Sequence, residues 1–240
     1  MGERTGLWPM TAAELVARQH QLAVEAESAL AADPWTPQEA PVVGGCFVAF
    51  ARGEAGPGSA GDRAWAGAVS WNRGTVVASA VVRQRVPAPY EPGLLALREG
   101  PILAAAVAHL DVRPDVLLVD ATGLDHPRHA GLALHLGAAL GIPTVGVTHR
   151  PLRASGPLPA AFRRGARAPL VLDDVNGRLV AYWVCTRPGA RPVVAHAAWR
   201  TTPETAAETV LAASTPASRT PHPLREARRV AREARAAAGH

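Results

Sequence analysis

The pattern that most restricts the fold of this chain lies between residues 42 and 148. Three extended runs come first. Val42–Phe50 is apolar around a Gly-Gly pair and reads as a buried strand that tolerates close approach of another backbone. Beyond a Gly-rich turn at Gly53–Gly61, Ala64–Trp71 and Thr75–Val82 read as two further strands, joined by the hairpin signal Asn72-Arg73-Gly74. The pattern then changes. A Pro-rich loop, Pro87–Pro92, leads into an apolar helix over Gly93–His109 and a short apolar strand, Val116–Val119, that ends in Asp120. A helix over Pro127–Leu140 closed by Gly141 and a strand over Pro143–Val147 complete the run. Helix–strand–helix–strand in succession requires crossover connections, and therefore parallel strands.

An antiparallel meander followed by alternating helices and strands is the order of a ribonuclease H-like fold. The expected architecture is α/β, with a mixed central sheet flanked by helices. In that fold carboxylates at the ends of the first and fourth strands converge on divalent metal, which directs attention to the strand around Cys46 and to Asp120. The flanks are also readable. Thr11–Leu30 is predicted helical, with a Thr11/Glu14 capping box and an apolar stripe of Leu15, Leu22 and Ala26, and Pro34, Pro37 and Pro41 stop it. Leu170–Leu172, a turn at Asn176-Gly177 and Leu179–Cys185 form a second β segment. Pro203–Ala213 is a helix capped by Thr202, Ser214–Pro223 a linker, and Leu224–Ala238 a terminal helix. The chain therefore divides into an N-terminal helix and Pro-rich lead-in (1–40), a central domain (41–213), and a linker with a basic C-terminal helix (214–240).

Composition narrows the class of function. Apolar runs are interrupted well before the ~18 residues of a membrane helix. Met1–Met10 lacks the basic-then-apolar order of a signal peptide, so a cytoplasmic protein is expected. Two cysteines, Cys46 and Cys185, exclude a disulfide scaffold and a multi-cysteine zinc site. All 25 cationic residues are arginine, and the net charge is +5. The first 40 residues carry a local net of −4, whereas Arg225–Arg235 holds five arginines against Glu226 and Glu233. That stretch suits either a solvated basic face or a polyanionic partner.

Three runs, in order, carry a family resemblance. Pro89-Tyr90-Glu91-Pro92-Gly93-Leu94-Leu95-Ala96-Leu97-Arg98-Glu99 resembles the P-Y-x-P-G-x-L-x-x-R-E motif of endonuclease V. Asp115–Asp120, with Gly123 and His126-Pro127-Arg128, resembles that family's D-x-x-x-V-D-G-x-G-x-x-H-P-R motif, and Gly141–Val147 is similar to the strand that follows it. The resemblance covers roughly residues 10–213. It implies recognition of hypoxanthine, the deaminated form of adenine, in DNA or RNA. It also implies cleavage on the 3′ side with Mg²⁺ or Mn²⁺. Glu99 and Asp120 then match metal-site carboxylates. Pro89, Tyr90 and Pro92 form the wedge that opens the strand, with Tyr90 stacking on bases. Gly93 and Leu94 help wall the base pocket, and Gly123, His126 and Arg128 belong to the same nucleic-acid-binding set.

The departures are equally specific. The family's first strand ends in G-x-D-x-[SG]-[FY]; here Cys46 stands in place of the aspartate, and Pro41–Phe50 contains no Asp or Glu at all. A family lysine falls on His149, a G-H-R motif with a catalytic histidine falls on Ala198-Trp199-Arg200, and a D-G-x-G turn has become Asp120-Ala121-Thr122-Gly123. A thiol is a soft ligand and holds Mg²⁺ poorly. The expectation is thus an endonuclease V-like protein that recognises inosine-type bases, binds Mg²⁺ or Mn²⁺ weakly, and cuts slowly or not at all. One alternative is a working endonuclease in which Asp125 or Glu54 supplies the lost carboxylate. Another is a repurposed enzyme with Cys46 as nucleophile, His149 or His196 as base, and Glu99 and Asp120 as orienting acids.

Overall fold

The computed structural model describes residues 8–52, 58–175 and 177–240. Glu3, Arg4, Glu54, part of the expected Gly53–Gly61 turn and Asn176 of the Asn176-Gly177 turn lie outside the described residues. Helix α1 (Ala12–Ala32) starts as its sequence dictates. The Thr11 hydroxyl accepts from the Glu14 N–H at 3.2 Å, and the Glu14 carboxylate accepts from the Thr11 N–H at 3.1 Å. This capping box satisfies donors that every helix start leaves over. Leu15, Gln19, Leu22 and Ala26 form the buried stripe.

Strands β1 (Val43–Phe50), β2 (Arg63–Asn72) and β3 (Thr75–Arg85) make the antiparallel meander. Arg73 and Gly74 turn the β2–β3 hairpin with φ of 45° and 90°. Positive φ at both positions matches the twist of the flanking strands. Helix α2 (Leu95–Ala108), β4 (Val116–Val119), helix α3 (Leu132–Leu140) and β5 (Thr144–Thr148) follow, with β1, β4 and β5 parallel. Then come β6 (Arg167–Val171), β7 (Leu179–Val184), β8 (Val193–Ala197), α4 (Pro203–Ala212) and α5 (His222–Ala237). One 8-stranded sheet results, in the order β3-β2-β1-β4-β5-β8-β7-β6. Its β3-β2-β1-β4-β5 half is the expected ribonuclease H-like arrangement, extended by three antiparallel strands.

The sheet is covered on both faces, and β4 shows how. Leu117 and Val119 join the core beneath α1, α2 and α3, while Val116 and Leu118 join the core beneath α4 and α5. A strand buried on both sides reads as a continuous apolar run, as Val116–Val119 does. Among the described residues no helix is long and apolar enough to cross a membrane.

Three features differ from the sequence reading. Strand β8 is unmarked in the sequence, because a five-residue run after Pro192 is too short for periodicity to separate it from a loop. Helix α3 begins at Leu132 rather than Pro127. His129 takes a left-handed φ of 52°, and the Gly131 N–H donates to the Gly123 carbonyl at 2.9 Å, so the intervening turn is tied to the loop after β4. The C-terminal helix is no detached tail. A Cβ on Gly45 would lie 2.4 Å from the Pro223 backbone, and one on Gly67 would lie 2.6 Å from the Ala227 carbonyl oxygen. Both glycines are therefore required for α5 to sit directly on β1 and β2. Leu224, Ala227 and Ala231 are its buried residues there, and burial of Leu224 alone contributes about 2 kcal/mol.

Candidate active site and nucleic-acid interface

The parallel β1–β4 register places Cys46 opposite Val119, one residue before Asp120. Glu99 projects from α2 into the same neighbourhood. Burial pushes its carboxyl up to about 7, Arg98 pulls it back down, and the Asp120 charge pushes it further up. Burial, then Asp120, then Glu99 push the Cys46 thiol far above its ordinary range. Cys46, Glu99 and Asp120 thus share one site at the end of β4. His149, on the segment leaving β5, feels both Asp120 and Arg228. Burial lowers its pKa, as do Arg219 and Arg228, against the raising effect of Asp120.

Cys46 is 1% exposed, and burial favours its protonated form. Burial and the two carboxylates disfavour the thiolate that a cysteine nucleophile needs. The substitute carboxylate Asp125 is likewise committed elsewhere. It is fully buried and accepts from the backbone N–H groups of Leu152, Arg153 and Ala154 at 2.7–2.8 Å. His196 is fully buried beside it, 3.5 Å from its carboxylate, with the other ring nitrogen 2.7 Å from the Thr148 hydroxyl. His196 and Asp125 therefore fasten the loop after β5. Trp199 is also remote from the carboxylates. Its carbonyl accepts from the Thr144 N–H and its N–H donates to the Thr144 hydroxyl at the start of β5, and it packs against Gly137 of α3, away from the end of β4.

The residue that does reach Asp120 comes from α5. Arg228 Nη2 lies 3.0 Å from Asp120 Oδ2, and its guanidinium stacks 4.8 Å from the Phe47 ring centre. Mg²⁺ and Mn²⁺ require several hard oxygen donors around one ion. Here a neutral thiol replaces one donor, and a guanidinium lies against another. Among the described residues no three His, Cys, Asp or Glu side chains form a metal-holding group. The donor set does not fit a tightly held divalent ion. The sequence named the arginine stretch but not this contact, for which the i, i+3, i+7 spacing of Arg225, Arg228 and Arg232 is the available signal.

The loop Pro89–Pro92, expected to act as a wedge, is held by a clamp at its end. Pro89, Tyr90 and Pro92 are exposed, Tyr90 by 45%. Gly93 holds a φ of +79°, which favours glycine, and its carbonyl is clamped. Gln19 Nε2 donates to it at 3.1 Å, Arg128 Nη2 at 2.8 Å and His126 Nε2 at 3.2 Å. Arg128 Nε also donates to Gln19 Oε1 at 2.6 Å. The Arg128 N–H donates to His126 Nδ1 at 3.2 Å, so the proton of the neutral imidazole is on Nε2, where it serves Gly93. Burial, reinforced by Arg128, depresses this histidine to about 4. His126 and Arg128, expected in the nucleic-acid-binding set, brace the loop through Gly93. Gln19 belongs to the same brace, and its signal was a polar residue within the apolar stripe of α1.

Two more expected pocket residues have structural duties. Leu94 is 6% exposed and joins the core at the start of α2, although with Pro92 and Arg128 it borders a groove of about 500 Å³ against Ala13 and Val16. Gly123 presses on β8: a Cβ there would lie 2.1 Å from the Ala197 carbonyl oxygen. Its missing side chain permits that contact.

Comparison with known proteins gives a consistent result. The family model described as Endonuclease V matches residues 25–229. An Endonuclease V of Roseiflexus castenholzii is 42% identical over 137 residues, covering 57% of this chain and 60% of that protein. One of Nocardia farcinica is 43% identical over 164 residues, covering 68% of this chain and 70% of that protein. The match thus spans about 60–70% of the length of these relatives. The crystal structure of Endonuclease V from Streptomyces avermitilis is similar over 97% of this chain and 96% of that one, with 32% identity and a TM-score of 0.83. Endonuclease V of Ciona intestinalis, in complex with a 24mer DNA containing an inosine followed by a ribo-adenosine, shares the fold. Its TM-score is 0.71 at 21% identity, over 92% of this chain and 96% of that one.

Proposed function

The chain belongs to the endonuclease V family, and we propose that it binds DNA or RNA at a deaminated, inosine-type base while cleaving phosphodiester bonds weakly or not at all. The observation that carries this reading is Arg228 on Asp120, beside the buried thiol of Cys46. The site keeps the carboxylates Glu99 and Asp120 but lacks a third hard donor, and a guanidinium fills the space beside Asp120. Mg²⁺ or Mn²⁺ would be held through Glu99 and Asp120 alone, hence weakly.

Recognition falls to the loop Pro89–Pro92. Tyr90 is exposed and held on a braced turn, so its ring offers a stacking face that loses little further freedom on binding. Base–aromatic stacking contributes about 1–3 kcal/mol per base. The inosine-bearing DNA held by the Ciona intestinalis relative is consistent with a ligand of this class. The test pairs binding with cleavage on one inosine-containing single strand and its undamaged twin. Preferential binding of the inosine strand, reduced about tenfold or more by Tyr90→Ala, with negligible cutting in Mn²⁺, supports the reading. Efficient Mn²⁺-dependent cutting would establish an active endonuclease instead, and equal affinity for both strands would remove the role of Tyr90.

A further inference from the structure

Helix α5 presents more cation than Asp120 requires. Arg225, Arg228, Arg229, Arg232 and Arg235, with Arg52 after β1, line a surface groove of about 580 Å³ whose lining holds Glu233 as its only carboxylate among the described residues. The pairings divide these arginines. Arg229 is taken by Glu226 and Glu233 at 2.8 and 2.7 Å, and Arg235 Nη1 donates to the Phe50 carbonyl at 3.2 Å. Among the described residues no carboxylate pairs with Arg52, Arg225 or Arg232. Arg225 and Arg232 are exposed, and Arg232 lies 5.9 Å from the Phe47 ring already covered by Arg228. Arg228 itself is not saturated, because its buried Nε has no hydrogen-bond partner. Two guanidinium groups without a carboxylate partner, Arg225 and Arg232, therefore flank along one helix the Arg228 that meets Asp120.

We propose that this arginine face of α5 is a phosphate-binding track for a single nucleic-acid strand, with Arg225, Arg232 and Arg52 contacting phosphodiesters and Arg228 supplying, at Asp120, the positive charge that a divalent cation would otherwise provide. The inference rests on the reading of the chain as a nucleic-acid binder and adds how the strand is held: by fixed guanidinium groups, without metal. Guanidinium presents a planar fork that matches phosphate oxygens, remains charged at all relevant pH, and reads no sequence. The track and the wedge thus have separate duties. Tyr90 selects the base, and α5 holds the backbone irrespective of base.

The experiment is fluorescence anisotropy on the full chain, with inosine-containing and undamaged single strands, at ~50 to ~200 mM salt, in EDTA and in Mn²⁺. The parent is expected to bind equally well in both, and the Arg225→Gln/Arg232→Gln double variant to lose about 1.4 from its log–log salt slope, alike for both strands (~0.7 per contact on a single strand). Both arginines are exposed and unpaired, so circular dichroism should be unchanged and the loss is a binding effect. Affinity that collapses in EDTA, or a slope unaltered in the double variant, would overturn the proposal. Failure of the functional reading looks different. Absence of inosine preference with the slope change intact leaves the track standing, whereas preference without a slope change removes the track alone.

Discussion

Replacing Cys46 by aspartate probes the carboxylate site most directly. Cys46 is 1% exposed, faces the core beneath α2, and its thiol is pushed up by burial and by the charges of Asp120 and Glu99. Cys46→Asp keeps nearly the same volume but sets a third carboxylate beside two others. Without a cation, ionising it costs several kcal/mol, of the size measured when buried charges lose their partners, about 3–5 kcal/mol. At about 2–4 °C per kcal/mol for a chain of this length, the variant should melt about 10 °C below the parent in EDTA. Mn²⁺ then has three hard donors, and at about 100-fold over its Kd it should return about 2.7 kcal/mol, or about 5–11 °C. The salt bridge from Arg228 to Asp120 competes with the ion, so adding Arg228→Ala should enlarge the Mn²⁺-dependent gain. Scanning calorimetry with a Mn²⁺ titration reads both effects. A Cys46→Asp variant that melts with the parent in EDTA and gains nothing from Mn²⁺ would refute the shared site, because an added carboxylate would then meet neither Glu99 nor Asp120.

Two further outcomes are expected. Gln19→Leu removes one donor to Gly93 and leaves Arg128 Nε without its acceptor, at a cost of about 1–3 kcal/mol; its inosine preference should fall while its salt slope stays unchanged, and an unaltered preference would mean the loop needs no brace. Stability should decline as pH falls from 6.5 to about 4, because His126, His135 and His196 are held near 4 by burial first and so take up protons only on unfolding. The contribution of these imidazoles is fully present above 6.5 and lost as pH falls through 4, while Glu99, raised to about 7, contributes in the opposite direction as pH falls from there to 4.5. Melting temperatures that stay flat down to pH 4.5 would mean that these imidazoles are solvated.

What could be read from the sequence was what local chemistry decides. The Thr11 capping box, the hairpin at Arg73-Gly74, the left-handed Gly141 that ends α3 and the doubly buried Val116–Val119 all follow from side chains within a few residues of each other. Long-range relations were not readable in this way. Arg228 and Asp120 are 108 residues apart and meet because α5 returns across β1. The family-like position of Trp199 suggested proximity to the carboxylates, but β8 runs antiparallel to β5 and delivers it to the start of that strand. His126 and Arg128 were recognisable as a motif, yet whether they face outward or brace Gly93 depends on Gln19, which belongs to another helix. Asp125 looked available because nothing nearby in sequence reveals the three backbone donors of 152–154.

The glycines beneath α5 make the sheet surface a height gauge for charge. Gly45 and Gly67 let the helix backbone rest on the strands with no side chain between, and Arg228 reaches Asp120 from that seating. One methyl group at either position is a shim. It lifts or tilts the helix and moves the guanidinium away from the carboxylate, although neither glycine has any chemistry of its own. The reach of Arg228 to Asp120 is thus set partly by the thickness of the contact between α5 and the sheet, where substitutions alter no charged residue and no loop.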